Sequence, residues 1–354
     1  MMNYPALIID KNKLEENTRI VIKNCGDYGI EVAAVTKCYC ALPELARVQI
    51  KGGIKMLADS RVENLKKLKD LPVPKMLIRI PMISQAEDVV AYADISLNSE
   101  IEVIKALSAE AVKRGKKHKV IMMIDIGDLR EGCLFEDALD LADGIIALEG
   151  IILVGVGANY SCFGGVLADE NNLNQLLFVK NAVEKKHGIK MEYVSAGNSC
   201  SYHVMEAGEI PAGVNHFRLG ELIILGYDVQ IKKAVEGAHR DVFTLAAEIV
   251  ELKNKPSKPF GKIGVDAFGC VPVFPDYGIR KRAILAVGRQ DCLINDLTPR
   301  TEGATITGAS SDHMIVDLTD CKEDFKIGDI LEFDLAYGAL LALSTSEYVS
   351  KNII

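Results

Sequence analysis

Lys37 is the side chain in this sequence whose type and position most clearly suggest a chemical role, and it directly follows a short apolar run. The run spans residues 32–36 and is bounded by Gly29 upstream and Pro43 downstream, a pattern typical of a buried strand. An amine held partly out of water has a lowered pKa, and this makes it a nucleophile that can form a Schiff base with an aldehyde. The alternative is a strand-end lysine that extends to solvent or pairs with a carboxylate, and this stretch alone leaves both open.

Composition and charge exclude several classes of protein. The length of 354 residues is too great for a typical single core and predicts two domains. The apolar fraction of 49% predicts a folded globular chain. The net charge of −8 argues against nucleic acid as a partner, because phosphate binding needs a basic face. We expect no membrane span, no export and a cytoplasmic location, since there is no long apolar run and no signal-like start. The nine cysteines then indicate free thiols, and the scattered histidines argue against a metal site.

Eight apolar strands alternate with amphipathic helices between about residue 32 and residue 226. The predicted strands are Val32–Thr36, Met56–Ser60, Met76–Ile80, Ile95–Asn98, Val120–Asp125, Leu153–Ala158, Tyr193–Ala196 and His216–Leu219. Eight such βα units of about 25 residues each predict an α/β fold of the (β/α)8, TIM-like barrel type. A doubly wound open sheet is the alternative, but the strand-to-helix turns lack its glycine-rich fingerprint.

The pattern changes to β after the barrel. Residues 246–252, 283–287, 305–308, 314–318 and 330–333 have strand composition and are separated by turns. The sequence therefore predicts a barrel domain at 1–230 and a C-terminal, mainly antiparallel β domain at 231–354. A short strand at 5–10 could belong to either domain.

In a barrel, functional side chains gather at the carboxyl ends of the strands. Small and hydroxylic residues follow the seventh strand at 197–201, and Arg218, Gly220 and Glu221 follow the eighth. Backbone amides and hydroxyls of this kind can bind a phosphate, although a plain helix N-cap would show the same residues at 197–201. A phosphate site beside a Schiff-base lysine indicates pyridoxal phosphate (PLP).

Five motifs together resemble the alanine racemase family of fold-type III PLP enzymes, most closely its alanine/ornithine racemase-like branch. Lys37 matches the PLP lysine at the end of the first strand, and 198–199 matches the Asn-Ser pair before a helix. Residues 218–221 match Arg-Pro-Gly-Ile, 125–130 match Asp-Thr-Gly-Met-x-Arg, and 314–320 match a pattern ending Met-Val-Asp-Val-Thr-Asp. The resemblance covers nearly the whole chain.

The resemblance implies a role for each matched residue. Lys37 would carry PLP, Arg130 would lie in the site, and the phosphate-binding groups would be Asn198, Ser199, Gly220 and Glu221. Arg218 would face the pyridine nitrogen of PLP; a permanently protonated guanidinium has no proton to share and keeps that nitrogen neutral. A neutral ring suits α-proton exchange by two bases, which is racemisation, better than decarboxylation. Alternatively, Arg218 pairs with a barrel carboxylate.

The sequence departs from the family at the base on the opposite face of the substrate. Alanine racemases have a tyrosine there, contributed by the partner subunit, and Arg289 occupies its place. An arginine is a poor general base at neutral pH, so Arg289 could instead bind the substrate carboxylate, with Cys292 or Asp291 as the base. Cys292 could equally be a small buried hydrophobe.

Further departures concern three other positions. Met123 stands near the place where some alanine racemases have a modified lysine that pairs with the equivalent of Arg130. The tyrosine four positions after the PLP lysine is missing, and Tyr39 is a candidate substitute. Asp312 falls where the family's substrate-carboxylate loop lies, and together with Asp291 it is a candidate partner for a basic substrate side chain.

The resemblance implies a homodimeric amino-acid racemase with shared active sites, acting on ornithine; alanine, serine and lysine remain alternative substrates. A non-catalytic PLP-homeostasis protein is the main competing function. Those proteins are single barrels, whereas this chain continues for more than a hundred residues past Gly226. A D-threonine aldolase or D-serine dehydratase of this fold needs a His-x-Cys metal pair in the β domain, and the sequence has none.

Overall fold

The computed structural model describes residues 3–269, 271 and 273–354. It divides into two compact units. Asn12–Arg240 form the barrel unit, and the residues up to Lys11 together with Asp241–Ile354 form the β unit. The first strand of the chain, β1 (Ala6–Ile9), pairs with two strands of the β unit.

The barrel unit is built on a closed ring of eight parallel strands that follow one another in chain order. The ring closes because the last strand pairs with the first, with Arg218 opposite Ala33. The strands are β2 (Glu31–Val35), β3 (Met56–Asp59), β4 (Lys75–Leu77), β5 (Ile95–Asn98), β6 (His118–Met123), β7 (Ile151–Ala158), β8 (Tyr193–Ala196) and β9 (His216–Leu219). A closed parallel ring confirms the predicted (β/α)8 barrel and excludes the open doubly wound sheet.

One helix of the barrel unit precedes these strands in sequence, and one α-helix follows each strand. They are α1 (Lys11–Asp27), α2 (Pro43–Lys51), α3 (Val62–Lys67), α4 (Ala86–Tyr92), α5 (Ile101–Lys113), α6 (Ala138–Ile146), α7 (Glu170–His187), α8 (Ser201–Glu206) and α9 (Glu221–Leu225). The limits of α7 follow from its sequence: Asp169 and Asn172 form a capping box at its start, and Gly188 ends it in the left-handed conformation. No helix within the described ranges is long and apolar enough to cross a bilayer.

Apolar side chains fill the inside of the ring. The buried cluster includes Ala33 and Val35 of β2, Met56 and Ala58 of β3, and Met123 of β6. A barrel filled in this way is a packed core and not a pore. A ligand of the barrel must therefore bind at the mouth formed by the carboxyl ends of the strands.

The β unit contains one eight-stranded sheet that is antiparallel except where β1 runs parallel to the last strand. After a short hairpin of β10 (Tyr227–Asp228) and β11 (Lys233–Ala234) in the barrel unit, the remaining elements all belong to the β unit. They are β12 (Phe243–Pro256), β13 (Ile279–Leu285), β14 (Leu297–Pro299), β15 (Thr305–Ala309), β16 (Met314–Asp317), β17 (Ile330–Leu335), α10 (Tyr337–Thr345) and β18 (Ser350–Ile353). The predicted C-terminal antiparallel domain is confirmed.

A buried histidine in the barrel wall makes stability depend on pH. His118 lies 2.8 Å from the Ser96 hydroxyl, and burial lowers its pKa to about 4, with a smaller contribution from Lys116. In the unfolded chain this histidine has a pKa of about 6.5. Between pH 6.5 and pH 4 it is therefore protonated in the unfolded chain but neutral in the folded chain. The contribution of neutral His118 to the free energy of unfolding is therefore fully present above about pH 6.5 and is lost as the pH falls towards 4.

We expect the His118 contribution to destabilise the protein by about 2 kcal/mol on going from pH 7 to pH 5. Urea unfolding followed by circular dichroism at both pH values measures the change in the free energy of unfolding. In His118→Gln this pH-dependent difference should shrink by about the same 2 kcal/mol, whatever the variant's stability at pH 7. An unchanged pH dependence in the variant would contradict the assignment.

Candidate active site

Lys37 lies at the barrel mouth on a 3-10 turn, Thr36–Tyr39, that directly follows β2. The side chain is partly buried, and among the described residues its ammonium makes no hydrogen bond or ion pair. The positive charge of Lys37 nevertheless opposes the rise in the pKa of Asp59, Cys162 and Glu221. These residues lie at the end of β3, after β7 and after β9. Lys37 is thus an uncommitted amine that faces the mouth, and the alternative of pairing with a carboxylate is not what the structure shows.

The backbone that carries Lys37 is fixed by a buried carboxylate at the end of the neighbouring strand. Asp59 accepts hydrogen bonds from the Thr36 hydroxyl (2.6 Å), the Arg61 backbone N–H (2.9 Å) and the Asn64 amide (3.1 Å). Burial raises the pKa of Asp59, and these hydrogen bonds oppose the rise. Asp59 therefore positions the turn that presents Lys37.

Arg218 is buried on β9, the strand next to β2, and donates to acceptors on β7, directly after β7 and on β8. Its Nη1 donates to the carbonyl and the hydroxyl oxygen of Ser195, the carbonyl at 3.0 Å. Its Nη2 donates to the carbonyl of Ala158 and to Oδ1 of Asn159, both at 2.7 Å. These four terminal N–H groups are occupied, whereas Nε makes no hydrogen bond to any residue that the structure describes.

Among the residues that the structure describes, no carboxylate contacts Arg218 directly. Burial lowers its pKa to about 10, and the nearby charge of Glu131 opposes this fall. A guanidinium with a pKa near 10 is still protonated at neutral pH. Arg218 is therefore a buried, fixed positive charge, and the predicted alternative of a direct pair with a barrel carboxylate does not occur.

Behind Arg218, a serine separates the guanidinium from a neutral histidine. The Ser195 hydroxyl accepts from Arg218 and lies 2.8 Å from Nδ1 of His216, so its own hydrogen is available to this nitrogen. Burial, followed by the charge of Arg218, lowers the pKa of His216 to about 3. His216 is consequently uncharged at physiological pH and adds no second cation behind the mouth.

The turns after β8 and β9 form one small-residue cradle. Gly197 has a φ of +89°, and a Cβ there would lie 2.5 Å from the Tyr160 ring. A Cβ at Gly220 would lie 3.0 Å from Val35. The Ser199 hydroxyl accepts from the Leu222 backbone N–H at 3.4 Å, which joins the two turns. Both turns thus need glycine at these positions, because a side chain there would collide with Tyr160 or with Val35.

Unpaired donors show that this cradle fits a phosphate. The backbone N–H groups of Ser199, Gly220 and Glu221 have no acceptor within the described part of the chain. The hydroxyls of Ser201 and Tyr160 are buried without a partner as well. Buried donors of this kind are expected to be satisfied, and a phosphate oxygen is a suitable acceptor for several of them.

The side chains of Glu221 and Asn198 have other surroundings. Burial, followed by the charge of Asp228, raises the pKa of Glu221 to about 7. Asn198 donates to the Tyr160 carbonyl at 2.8 Å, and its Oδ1 accepts from the Cys200 backbone N–H at 3.3 Å. The Asn198 side chain thus holds the loop, while phosphate binding by this residue stays a prediction.

The loop after β6 brings Arg130 to the mouth together with a residue that the sequence analysis missed. Asp125 accepts from the backbone N–H groups of Gly127 (2.9 Å) and Leu129 (3.1 Å), which folds the loop tightly. Arg130 then donates through Nη2 to Glu131 Oε1 at 2.7 Å and through Nε to Oε2. Glu131 is therefore the anion that partners Arg130.

Glu131 also accepts a hydrogen bond from Asn159, which follows β7. Met123, near the place of the family's modified lysine, is buried in the barrel core. The only sequence signal for Glu131 is its place directly after Arg130 on the loop that follows β6, which marks it as near the site but gives it no role.

In the β unit, the three candidates for the second base differ in exposure. Arg289 is exposed, and its guanidinium lies 4.4 Å from the centre of the Phe268 ring. Asp291 is buried and accepts from the Ser346 hydroxyl at 2.8 Å. Cys292 is also buried, and burial raises the pKa of its thiol to about 12, with Asp291 adding to the rise. This is the opposite direction from that required of a thiolate base.

Two further candidates have structural surroundings. The Tyr39 hydroxyl is fully buried and donates to Gln49 of α2 at 2.6 Å, so it anchors the lysine turn to a helix. Asp312 is exposed and accepts from the neighbouring Ser311 hydroxyl. Residues 310–311 of the same loop accept from the backbone of Arg289 and Gln290. Asp312 and Arg289 therefore lie on two loops that are hydrogen-bonded together.

No group of three or more His, Cys, Asp or Glu side chains with a geometry suited to a metal ion is found among the residues that the structure describes.

Comparison with known proteins agrees with this arrangement. The family described as "Alanine racemase, N-terminal domain" matches residues 9–228. The chain belongs to the alanine racemase family. It is 45% identical over 354 residues to ornithine racemase of Acetoanaerobium sticklandii, covering 99% of this chain and 100% of that protein. It is 39% identical to lysine racemase of Thermotoga maritima over 99% of this chain and 98% of that protein.

The solved structures show the same fold. The alanine racemase of Streptomyces coelicolor A3(2) superposes with a TM-score of 0.77 over 99% of this chain and 97% of that chain, at 18% identity. The barrel followed by a β domain is thus the fold of this alanine racemase family member.

Proposed function

We propose that this protein is a PLP-dependent racemase that interconverts L- and D-ornithine. The observation that carries the proposal is the pairing of Arg218, whose terminal N–H groups all donate to neutral oxygens while no carboxylate touches it. A buried cation held in this way cannot deliver a proton to a ring nitrogen that it faces. The arrangement therefore favours proton exchange at the α-carbon over decarboxylation.

The cofactor is proposed on the fit of the barrel mouth. Lys37 offers an uncommitted amine for the aldehyde, and the cradle of Ser199, Gly220 and Glu221 offers unpaired backbone donors for the phosphate. When bound, PLP supplies the electron withdrawal that acidifies the α-hydrogen of an amino acid. Lys37 would remove or return this proton at its Nζ on one face of the substrate.

The proton on the other face is proposed to be handled by the β unit of a second copy, in a homodimer with shared sites. Arg289 is the exposed candidate, whereas Asp291 and Cys292 are buried and hydrogen-bonded. We therefore favour Arg289 as the group that reaches the partner's substrate, either as a carboxylate ligand or as the proton carrier. Asp291 remains a candidate for the base, whereas the raised pKa of the Cys292 thiol argues against Cys292.

Ornithine is the proposed substrate because the relative with 45% identity over the full length is named an ornithine racemase. Lysine is the second candidate, since a relative of similar coverage is named a lysine racemase. A non-catalytic PLP-homeostasis role is disfavoured by the presence of a complete β unit with an eight-stranded sheet, which a single barrel lacks.

The proposal is tested with the purified full chain and PLP. We expect visible Schiff-base absorbance, formation of D-ornithine from L-ornithine on chiral chromatography, and deuterium incorporation at the α-carbon in D2O. Assaying ornithine, lysine, alanine and serine in parallel identifies the substrate. Borohydride reduction followed by peptide mass spectrometry should place the cofactor on Lys37. A colourless protein, or deuterium exchange with none of the four amino acids, would contradict the proposal.

A further inference from the structure

Four polar side chains form a continuous hydrogen-bonded chain across the barrel mouth. They are Arg130 and Glu131 from the loop after β6, Asn159 after β7 and Arg218 on β9. The carboxylate of Glu131 accepts from Arg130 and from the Asn159 amide nitrogen, and the Asn159 carbonyl oxygen accepts from Arg218 at 2.7 Å. One carboxylate thus interacts with two guanidinium groups, directly with one and through an amide with the other.

The orientation of the Asn159 amide is set by its neighbours. A guanidinium can only donate and an ionised carboxylate can only accept, so the amide oxygen must face Arg218 and the amide nitrogen must face Glu131. The reverse orientation would leave donor against donor and acceptor against acceptor. Because the site is partly buried, such unmade hydrogen bonds would be costly.

Glu131 is not free to act as a base or as a ligand for a substrate. Its Oε1 accepts from Arg130 and Asn159, and its Oε2 accepts from the Arg130 Nε. Its side chain is 18% exposed, so these charge-assisted bonds are only weakly screened by solvent. The negative charge of Glu131 is also the largest favourable electrostatic contribution to protonation of Arg218. Its carboxylate oxygens are therefore occupied by the hydrogen bonds that hold Arg130 directly and Arg218 through Asn159.

We propose that Glu131 and Asn159 are positioning residues for the reaction. Glu131 fixes the guanidinium of Arg130, and through Asn159 it holds Arg218 so that Nε is the N–H left for a ligand. Asn159 links Glu131 to Arg218 through its amide group, so that Arg218 is held in place without direct contact with a carboxylate. This inference rests on the proposed function, since the reaction that the two residues serve is the proposed racemisation.

The experiment compares Glu131→Gln, Asn159→Ala and the double variant in the full-length protein with PLP. Each single substitution should lower kcat for ornithine racemisation by about 10- to 100-fold. Because both residues act through the same contact, the loss of kcat in the double variant should be no larger than the loss in the more impaired single variant. Glu102→Gln, which removes an exposed carboxylate paired with Lys105 on α5, is the matched control and should keep wild-type kcat.

Two further measurements separate positioning from a general loss of folding. The visible absorbance band of bound PLP, recorded across pH, should change in Glu131→Gln and not in Glu102→Gln, because only the first variant alters the group that holds Arg218. Modification of Arg130 by phenylglyoxal in the protein without PLP, read by peptide mass spectrometry, should be at least about threefold faster in Glu131→Gln.

The inference is overturned if the losses of the two single variants multiply in the double variant. It is also overturned if kcat per folded molecule and the absorbance band are the same in Glu131→Gln as in the control. A wild-type protein that binds no PLP would contradict the proposed function, and a reaction role for Glu131 would then fall with it. The rate of Arg130 modification needs no cofactor, so an unchanged rate would contradict the anchoring itself even in that case.

Discussion

Lys37→Ala should abolish ornithine racemisation, with a loss of at least about 10³-fold in kcat, because it removes both the proposed attachment point of the cofactor and one of the two proposed proton-transfer groups. The visible Schiff-base absorbance of the protein with PLP should disappear in the same variant. Chiral chromatography of D-ornithine and an absorbance titration with PLP measure the two effects.

The surroundings of Lys37 predict that this loss comes without a loss of folding. Its ammonium has no partner among the described residues, and the turn that carries it is held by Thr36 and Asp59. The free energy of unfolding of the variant without PLP should therefore stay within about 0.5 kcal/mol of the wild-type value. Lys105→Ala, a change at an exposed lysine of α5, is the control and should retain activity and colour.

A small primary amine should partly rescue Lys37→Ala, since it can replace the missing base in the space that the side chain leaves. If Lys37→Ala instead kept its absorbance, and borohydride reduction attached PLP to a different lysine, the assignment of the cofactor lysine would be wrong.

The strands of the barrel could be predicted from the sequence because they are buried on both faces. Such strands are mainly apolar runs, and polar residues such as Lys37 and Asn98 lie at or just after their carboxyl ends. The ends differ by a few residues; for example, the strand predicted at Met76–Ile80 is Lys75–Leu77. Hydrogen bonding to neighbouring strands sets these ends, and a single segment carries no information about its neighbours.

Helices α4 and α10 have no clear helical pattern in the sequence, for different physical reasons. Helix α4 (Ala86–Tyr92) has seven residues, which is too short for a helical period to be visible. Helix α10 (Tyr337–Thr345) has no charged residue, so it shows no polar face and lies in a region of strand composition. Its helical state depends on packing that the local sequence does not encode.

The candidate site shows the same division. Lys37, Ser199 and Arg218 could be found because a barrel places the residues that follow its strands at one end. Glu131 could not be assigned a role, because its role consists of bonds to a neighbouring arginine and to an asparagine on the next strand's loop. The environment of Cys292 was equally hidden, since burial among residues distant in sequence raises the pKa of its thiol.

Arg218→Gln should lower kcat for racemisation by about 10²- to 10³-fold, which is the usual effect of removing a fixed electrostatic donor from a site. The glutamine amide offers two N–H groups where the guanidinium donates to four acceptors. The carbonyls of Ser195 and Ala158 then each lose their guanidinium donor, so the free energy of unfolding should fall by about 2–4 kcal/mol. Urea unfolding and kcat per folded molecule measure the two effects separately.

Arg218→Lys distinguishes the charge from the geometry. A lysine retains the positive charge but has three donors on one atom, which cannot reach acceptors on both sides of a planar group. If the charge alone keeps the ring nitrogen of PLP unprotonated, Arg218→Lys should keep most of the activity that Arg218→Gln loses. If the fixed direction of Nε is required as well, both variants should lose activity to a similar extent. Our structure favours the second result, because four bonds to acceptors on β7, directly after β7 and on β8 hold this guanidinium in one orientation. Wild-type kcat in Arg218→Gln would contradict the role of Arg218 in the reaction.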